Sequence, residues 1–247
     1  VTTEGFRDTL EIGRTRRLIG GLFQIRFVRP PALVERALRF EVPERMAGDG
    51  EMLVDIADYD FTPLAARLRD AGIEALAVCF INSFVNDRNE TVAADRLGEL
   101  LPGLPVCASA AVVRERGEFH RFSTCALNAC LTPVVTAYLD TLLAELASRG
   151  ITAPVNIMGS NGGAMTLDQA RDFAAGTFLS GPVGGVGGAM RACAMAGVED
   201  CITFDMGGTS TDVSLIHGLT PRISHDNQIG AYPLQVPQLD IHTIGAG

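Results

Sequence analysis

Four glycines fall within the six positions after Pro182, in the run Leu179-Ser180-Gly181-Pro182-Val183-Gly184-Gly185-Val186-Gly187-Gly188-Ala189-Met190. Pro182 suits the first turn of a helix, and the residues that follow are mostly Gly, Ala and Met up to Gly197. Glycine in a helix interior costs ~1 kcal/mol against alanine, so a helix this rich in it needs a reason. Close backbone packing is the plainest one. A helix N-terminus facing a ligand is the sharper one. Directly afterwards comes Cys201-Ile202-Thr203-Phe204-Asp205-Met206-Gly207-Gly208-Thr209-Ser210-Thr211-Asp212-Val213-Ser214-Leu215-Ile216, an apolar strand entering Asp-x-Gly-Gly-Thr and a second strand leaving it.

That second segment reads as a hairpin with glycines at its tip. Glycine permits positive φ, so consecutive N–H groups can converge into an anion-binding concavity. Gly207 and Gly208 would form it, with Thr209, Ser210 and Thr211 adding hydroxyl donors. Asp205, at the end of its strand, would hold a metal-bound water or orient an attacking one, since a carboxylate cannot bind phosphate itself. Glycine hairpins are usually plain turns; two acidic residues flanking Gly-Gly-Thr, fed by a glycine-rich helix, are less generic.

The rest of the chain alternates short apolar runs with helical stretches, the pattern of a mixed α/β protein. Gly48-Asp49-Gly50 sits between two β-compatible runs as a hairpin turn. Thr62-Pro63 predicts a helix start with Thr62 as N-cap, closed by Gly72. Ala75–Ile81 reads as a strand buried on both faces, and Asp87 with Glu90 as a capping box opening a helix to Leu101. A further strand at Val106–Ala111 would complete a strand–helix–strand crossover. Phe122–Arg149 is the longest helical stretch, with Pro133 expected to break or kink it near Leu131. Thr166 and Gln169 form another capping box after a short strand at Val155–Met158.

Lys and Arg number 20 against 29 Asp and Glu, a net charge of −9, which removes the electrostatic footprint of a nucleic-acid binder. No apolar run approaches the ~18 residues of a membrane span, and no secretory leader is visible, so the chain reads as cytoplasmic. The six cysteines are scattered, never as Cys-x-x-Cys, and read as buried thiols. His120, His217, His225 and His242 lie apart, so a protein-only metal cage is not expected. The chain opens at Val1 without an initiator Met and stops inside Ile244-Gly245-Ala246-Gly247, as a piece of a longer polypeptide would.

The order Ser-Gly-Pro-x-Gly-Gly-helix, strand, Asp-x-Gly-Gly-Thr-x-x-Asp resembles the connecting helix and second phosphate motif of the actin, hexokinase and heat-shock-chaperone ATPases. The wording is closer still to the hydantoinase A/oxoprolinase family, with its acetone and acetophenone carboxylase relatives. The matching stretches are Thr2–Asp8 with Glu11-Ile12-Gly13-Arg14, Phe40–Arg45, Ser160–Gly163, Leu179–Ala189, Phe204–Val213 and Leu239–Gly247. The resemblance implies a partial two-lobed RNase-H-like fold with ATP in its cleft. Residues 1–198 would be the remainder of the first lobe with the connecting helix, and 199–247 the first strands of the second lobe with the hairpin. A first phosphate hairpin would precede Val1 and an adenosine motif would follow Gly247, leaving this stretch inactive alone.

It further implies ATP with Mg²⁺ as cofactors and a hydantoinase B-type partner subunit or domain. The substrate would be a cyclic amide, opened after phosphorylation of its carbonyl oxygen, or a ketone carboxylated through its enolate. A nucleotide-gated assembly module is the non-enzymatic alternative. Asp205 and Asp212 would be catalytic, Asp205 reaching Mg²⁺ through a bound water; Gly207, Gly208, Thr209, Ser210, Gly181 and Gly184 would cradle phosphate. Asp240 and His242, two apart on a strand and therefore on one face, form either a second site pair or an edge aspartate beside a satisfied histidine. Ser160 and Asn161 belong to a substrate-facing turn or, more plainly, to a strand-to-helix connection.

Overall fold

The computed structural model describes residues 1–12, 30–225 and 227–245. Gly13, Arg14, Ala246 and Gly247 of the motifs above lie outside the described residues. The chain is α/β and divides into two compact units: Val1–Ala137 with Gln228–Gln235, and Tyr138–Asn227 with Val236–Gly247. The glycine-rich helix thus belongs to the same unit as the hairpin after it, and the lobe boundary expected after residue 198 stays a proposal about the longer fold.

In the first unit, Thr2–Thr3 (β1) pairs in parallel with Glu41–Val42 (β2). Arg45–Met46 (β3) and Met52–Val54 (β4) form the hairpin expected around Gly48–Gly50. Thr62–Asp70 (α1) starts one residue earlier than a Thr62 cap would allow; the Asp60 carboxylate instead accepts the Thr62 N–H at 2.9 Å. Leu76–Val78 (β5) runs into Arg88–Leu100 (α2) and then Val106–Ala108 (β6), which pairs with β5 in parallel as the crossover pattern requires. A parallel bridge between Thr2 and Cys79 ties β1 to the end of β5. The core is the apolar run itself: Val78 and Phe80 pack with Val42, Leu68 and Leu97, all essentially inaccessible to water.

Two of the motif stretches that carry the family likeness pack against each other here. Gly5 N–H donates to the Glu41 carboxylate at 2.8 Å, Thr3 Oγ donates to Glu44, and the Arg45 guanidinium lies 4.8 Å above the Phe6 ring. Burial pushes the Glu44 carboxyl above its ordinary range. The Thr2–Asp8 and Phe40–Arg45 stretches therefore hold β1 to β2.

The capping box expected at Asp87 does not form. Asp87 pairs with Arg114, and Glu90, 1% exposed, turns inward. Its carboxylate accepts N–H bonds from Phe80 (2.7 Å) and Ala110 (2.6 Å) and the Ser109 hydroxyl (2.8 Å). It thereby ties α2 to the end of β5 and to the turn Ser109–Val112 (α3) after β6. Arg121, fully buried, completes this polar knot by donating to Phe80 O (2.6 Å) and Ser109 Oγ (3.0 Å).

Glu118–Ser148 (α4) passes through Pro133 without stopping. Residues 121–129 are all buried, and that packing outweighs the ~3 kcal/mol penalty of an interior proline. The Thr132 hydroxyl donates back to the Asn128 carbonyl at 2.9 Å beside the proline. By length and composition α4 could cross a membrane, which corrects the expectation that no segment qualifies; 56% of its most apolar window is buried in the fold.

In the second unit, Ile157–Met158 (β7) and Ala164–Met165 (β8) make a small hairpin. The helix Leu167–Asp172 (α5) begins with the expected capping box: Thr166 Oγ accepts from Gln169 N at 3.2 Å, and the Gln169 side chain accepts from Thr166 N at 2.9 Å. Thr166→Ala is expected to lower stability by about 1 kcal/mol, seen as an earlier urea midpoint; an unchanged midpoint would refute the cap's contribution. The glycine-rich helix is Ser180–Ala196 (α6), ended by Gly197 at φ +70°. Val183 and Val186 on its inner face pack with Ile216 and Leu239.

Cys201–Met206 (β9) and Thr211–His217 (β10) form the expected antiparallel hairpin, with Asp205 directly opposite Asp212. Thr220–Pro221 (β11) extends the sheet, and Ile223–Ser224 (β12) pairs elsewhere. Asn227–Ile229 (β13) pairs with Tyr232–Leu234 (β14). Gln238–Leu239 (β15) pairs with β12, and Ile241–Ile244 (β16) lies antiparallel to β10.

Candidate active site

The strand register decides which side chains meet. Asp205, Asp212 and Thr243 are directly paired across β9, β10 and β16, so they share one face of the sheet. That face looks toward α6. A cleft of about 330 Å³ lies between them, lined by Pro182, Gly185 and Val186 from the helix and by Asp205 and Asp212 from the sheet. Asp212 is held in place by the Thr243 hydroxyl, which donates to Oδ1 at 2.6 Å. Asp205 is exposed, and its Oδ2 approaches the helix so closely that a Cβ on Gly185 would lie 3.5 Å away.

Close packing as the reason for the other helix glycines is not what the structure shows. A Cβ at Gly181, Gly184, Gly187 or Gly188 would meet nothing within 4 Å. Gly185, not singled out in the sequence, is the glycine that touches the acidic pair; Gly181 and Gly184 are exposed on the helix and do not line the cleft. No side chain caps α6, and Leu179 at its start has the left-handed φ of +60°. That conformation costs leucine ~1–2 kcal/mol.

The tip differs from expectation in a further respect. Neither Gly207 nor Gly208 has a positive φ, so no concavity arises from left-handed glycines. Instead Gly207 N–H donates to Ser210 O at 2.9 Å and closes the turn, which removes it as a free phosphate donor. The N–H groups of Gly208, Thr209 and Ser210 make no hydrogen bond to another described residue. They remain able to receive an anion at the end of the strand that carries Asp205.

The remaining candidates are placed elsewhere. His242 pairs with Val213, and Val213 with Phe204, which puts His242 on the opposite face of the sheet from Asp205. Its Nε2 lies 3.5 Å from Asp240 Oδ1, so the two do share a face, but that face is turned away from the cleft. Asp240 also faces Arg222 at 3.9 Å.

Ser160 is 1% exposed; its hydroxyl shares its proton between Gly176 O (2.8 Å) and Phe178 O (2.5 Å), and its carbonyl accepts from Leu239 N at 2.8 Å. It anchors the segment entering α6 and has no hydroxyl to offer a substrate. Asn161 folds over its own turn, Oδ1 accepting Gly163 N–H at 2.9 Å, 3.0 Å from where a Gly159 Cβ would be. The Ser-Asn-Gly-Gly stretch is thus an Asx turn closing the β7–β8 hairpin, not the strand-to-helix connection of the plainer reading.

An opposed pair of carboxylates is unfavourable unless a cation or proton joins it. An oxygen-only donor set with one member held by a hydroxyl suits a hard divalent cation that keeps most of its waters. Among the described residues no group of three or more His, Cys, Asp or Glu side chains could cage a metal. Asp205 and Asp212 therefore fit Mg²⁺ as outer-sphere or single-carboxylate partners.

The model of the hydantoinase/oxoprolinase family matches residues 121–247, and that of its N-terminal region matches residues 1–101. The chain belongs to the hydantoinase/oxoprolinase family. It is 30% identical to the caprolactamase alpha subunit of Pseudomonas jessenii over 99% of this chain and 35% of that one. The crystal structure of the ATP-dependent caprolactamase from that organism superposes with a TM-score of 0.87 at 28% identity, covering all of this chain and 36% of its own. 5-Oxoprolinase 1 of Arabidopsis thaliana is 32% identical over 99% of this chain and 20% of its own length. Nucleotide-free acetone carboxylase gives a TM-score of 0.82 at 28% identity, over 100% of this chain and 36% of that one. The chain thus spans little more than a third of these relatives at most.

Proposed function

We propose that this chain forms one wall of the nucleotide site of an ATP-dependent hydrolase that opens a cyclic amide. The carrying observation is the opposed Asp205–Asp212 pair facing α6, one strand end away from three unbonded N–H groups. The fold of the longer protein is read as a two-lobed, RNase-H-like ATPase. Because an amide carbonyl carbon is a poor electrophile, ATP with Mg²⁺ would supply the phosphoryl group that, carried on the carbonyl oxygen, activates that carbon and makes the oxygen a leaving group.

The chain's own residues would do the positioning. Gly208, Thr209 and Ser210 N–H groups donate to phosphate oxygens. Asp205 holds a metal-bound or attacking water by accepting its proton in a hydrogen bond. Asp212, fixed by Thr243, supports the same cation, and Pro182, Gly185 and Val186 wall off solvent. Such positioning and charge neutralisation are what phosphoryl transfer mainly asks of a protein.

Amide opening is preferred over ketone carboxylation because caprolactamase and 5-oxoprolinase, both amide-acting by name, match nearly the whole chain. The carboxylase reading is supported by the likeness to acetone carboxylase over the full chain. A second, hydantoinase B-type subunit or domain is the proposed partner, and the cytoplasm the proposed location. The test is nucleotide turnover by the full-length protein with its partner, screened against lactams, hydantoins, 5-oxoproline and ketones. Phosphate release is expected only with a cyclic amide present. Release confined to ketones would transfer the assignment to the carboxylase branch, and substrate-independent release would remove both.

A further inference from the structure

In the first unit, the face of β1 and β5 opposite Val42 and Val78 carries a pocket of about 60 Å³. Thr2, Ala77 and Cys79 line it from the strands, and Phe122 and Ala126 of α4 line it from across. The parallel bridge between Thr2 and Cys79 sets these two side by side on one face, and Ala77, two positions before Cys79, shares it. Thr3, next along β1, sends its hydroxyl to Glu44 on the other face. The Thr2 side chain therefore points into the pocket.

Thr2 is 8% exposed, and its Oγ1 has no hydrogen-bond partner among the described residues. The other polar groups at the pocket are engaged. The Thr9 hydroxyl donates to Phe6 O at 2.7 Å, and the Val1 amino group to Ala77 O at 2.7 Å. Arg39 donates to Val34 O through Nε (2.9 Å) and Nη2 (2.7 Å), to Arg7 O (3.3 Å) and to Glu11 (2.7 Å). A hydroxyl left unpaired among apolar side chains is unfavourable, so it points to a partner that the fold does not supply. An ordered water needs roughly two to four polar neighbours, and one spare hydroxyl does not provide them.

We propose that this pocket binds a small neutral aliphatic alcohol, whose oxygen hydrogen-bonds to Thr2 Oγ1 while its carbons pack on Ala77, Cys79 and Phe122. Its volume is well under the roughly 150 Å³ that takes up benzene, so the occupant has about three or four carbons. With Arg39 and the Val1 amino group already paired, a carboxylate gains nothing there over its hydration. The acidic cleft plays no part in this site.

Of the six thiols, Cys79, Cys107 and Cys125 are buried, Cys193 and Cys201 partly so, and Cys130 is exposed. Cys79 supplies the readout, because it is the sole cysteine of the tryptic peptide 70–88. Cys107, in peptide 97–114, is the control: it is 8% exposed against 6% for Cys79, but lies outside the pocket. The full-length protein is treated briefly with methyl methanethiosulfonate, a small neutral reagent that leaves a methylthio group on a thiol and releases methanesulfinate. Graded 2-butanol or sodium butyrate is present, and the digested peptides are weighed. Cys79 should react faster than Cys107, and 2-butanol should slow the Cys79 reaction saturably while butyrate leaves it unchanged. Thr2→Val keeps the shape but removes the hydroxyl, and should weaken the protection by about threefold to tenfold, the worth of one neutral hydrogen bond. Ala77→Val, which fills the pocket, should abolish both the reaction and the protection. A Cys79 that reacts no faster than Cys107 overturns the proposal, as does protection that extends to Cys107 or is given equally by butyrate. So does a Thr2→Val protein protected as well as the wild type. The wild-type comparisons hold however the variants fold, and none of them reads nucleotide turnover.

Discussion

Asp205→Asn is expected to abolish substrate-dependent ATP turnover in the full-length protein with its partner, by at least ~100-fold in kcat, while leaving the fold intact. Asp205 is exposed and hydrogen-bonds no other described side chain, so its loss removes little packing. Asparagine keeps the size and one acceptor oxygen but loses the charge that a hard cation and its ordered waters require. Relief of the repulsion with Asp212 should even raise the thermal midpoint slightly. Unchanged kinetics in a folded Asp205→Asn protein would remove this residue from the mechanism. Asp212→Asn should be milder, because Thr243 would still hold the side chain through its hydroxyl.

The second large effect concerns stability. Glu90→Ala is expected to destabilise the first unit by ~3–5 kcal/mol, because it orphans two buried backbone N–H groups and the Ser109 hydroxyl at once. Glu90→Gln should also destabilise, since one side of its amide would present a donor to a donor. The pH dependence separates the carboxyl's own contribution. Burial outweighs the hydrogen bonds from Phe80, Ala110, Ser109 and Ser83 and raises the Glu90 carboxyl above the ordinary 4.5.

The folded state therefore holds a proton that the unfolded chain releases above that value. The associated stability is complete below pH 4.5 and is lost as pH rises through the elevated folded value. Wild-type stability should fall over that window more steeply than that of Glu90→Gln, measured by denaturant titration at several pH values. A wild-type curve that rises relative to the variant would contradict the assigned burial.

What the chain reveals locally, the structure largely keeps. The run Ala75–Ile81 and the Thr166/Gln169 box are short-range signals, and both elements form where their residues indicate. The hairpin at Asp205–Asp212 is equally local, being two apolar runs around a glycine tip. The misreadings share a cause: each depended on a partner distant in sequence. Glu90 looks like a capping residue three positions after Asp87, but the nearby ends of β5 and β6 supply two N–H donors that outbid the helix terminus. Pro133 breaks a helix in isolation, and only the burial of residues 121–129 overrides it. His242 and Asp205 can be assigned to opposite faces only once the β16–β10–β9 register is known, because a shift of one residue would exchange the faces. Gly185 could not be told from its neighbours by composition; the approach of Asp205 distinguishes it.

The roles of Asp205 and of the hairpin N–H groups depend on where a triphosphate lies. Determining the structure of the full-length protein with a non-hydrolysable ATP analogue and Mg²⁺ tests this most directly. Phosphate oxygens should lie within hydrogen-bond distance of the N–H groups of Gly208, Thr209 and Ser210, with the cation's waters between them and Asp205. A triphosphate bound away from this hairpin, with Asp205 and Asp212 facing no cation, would contradict the account.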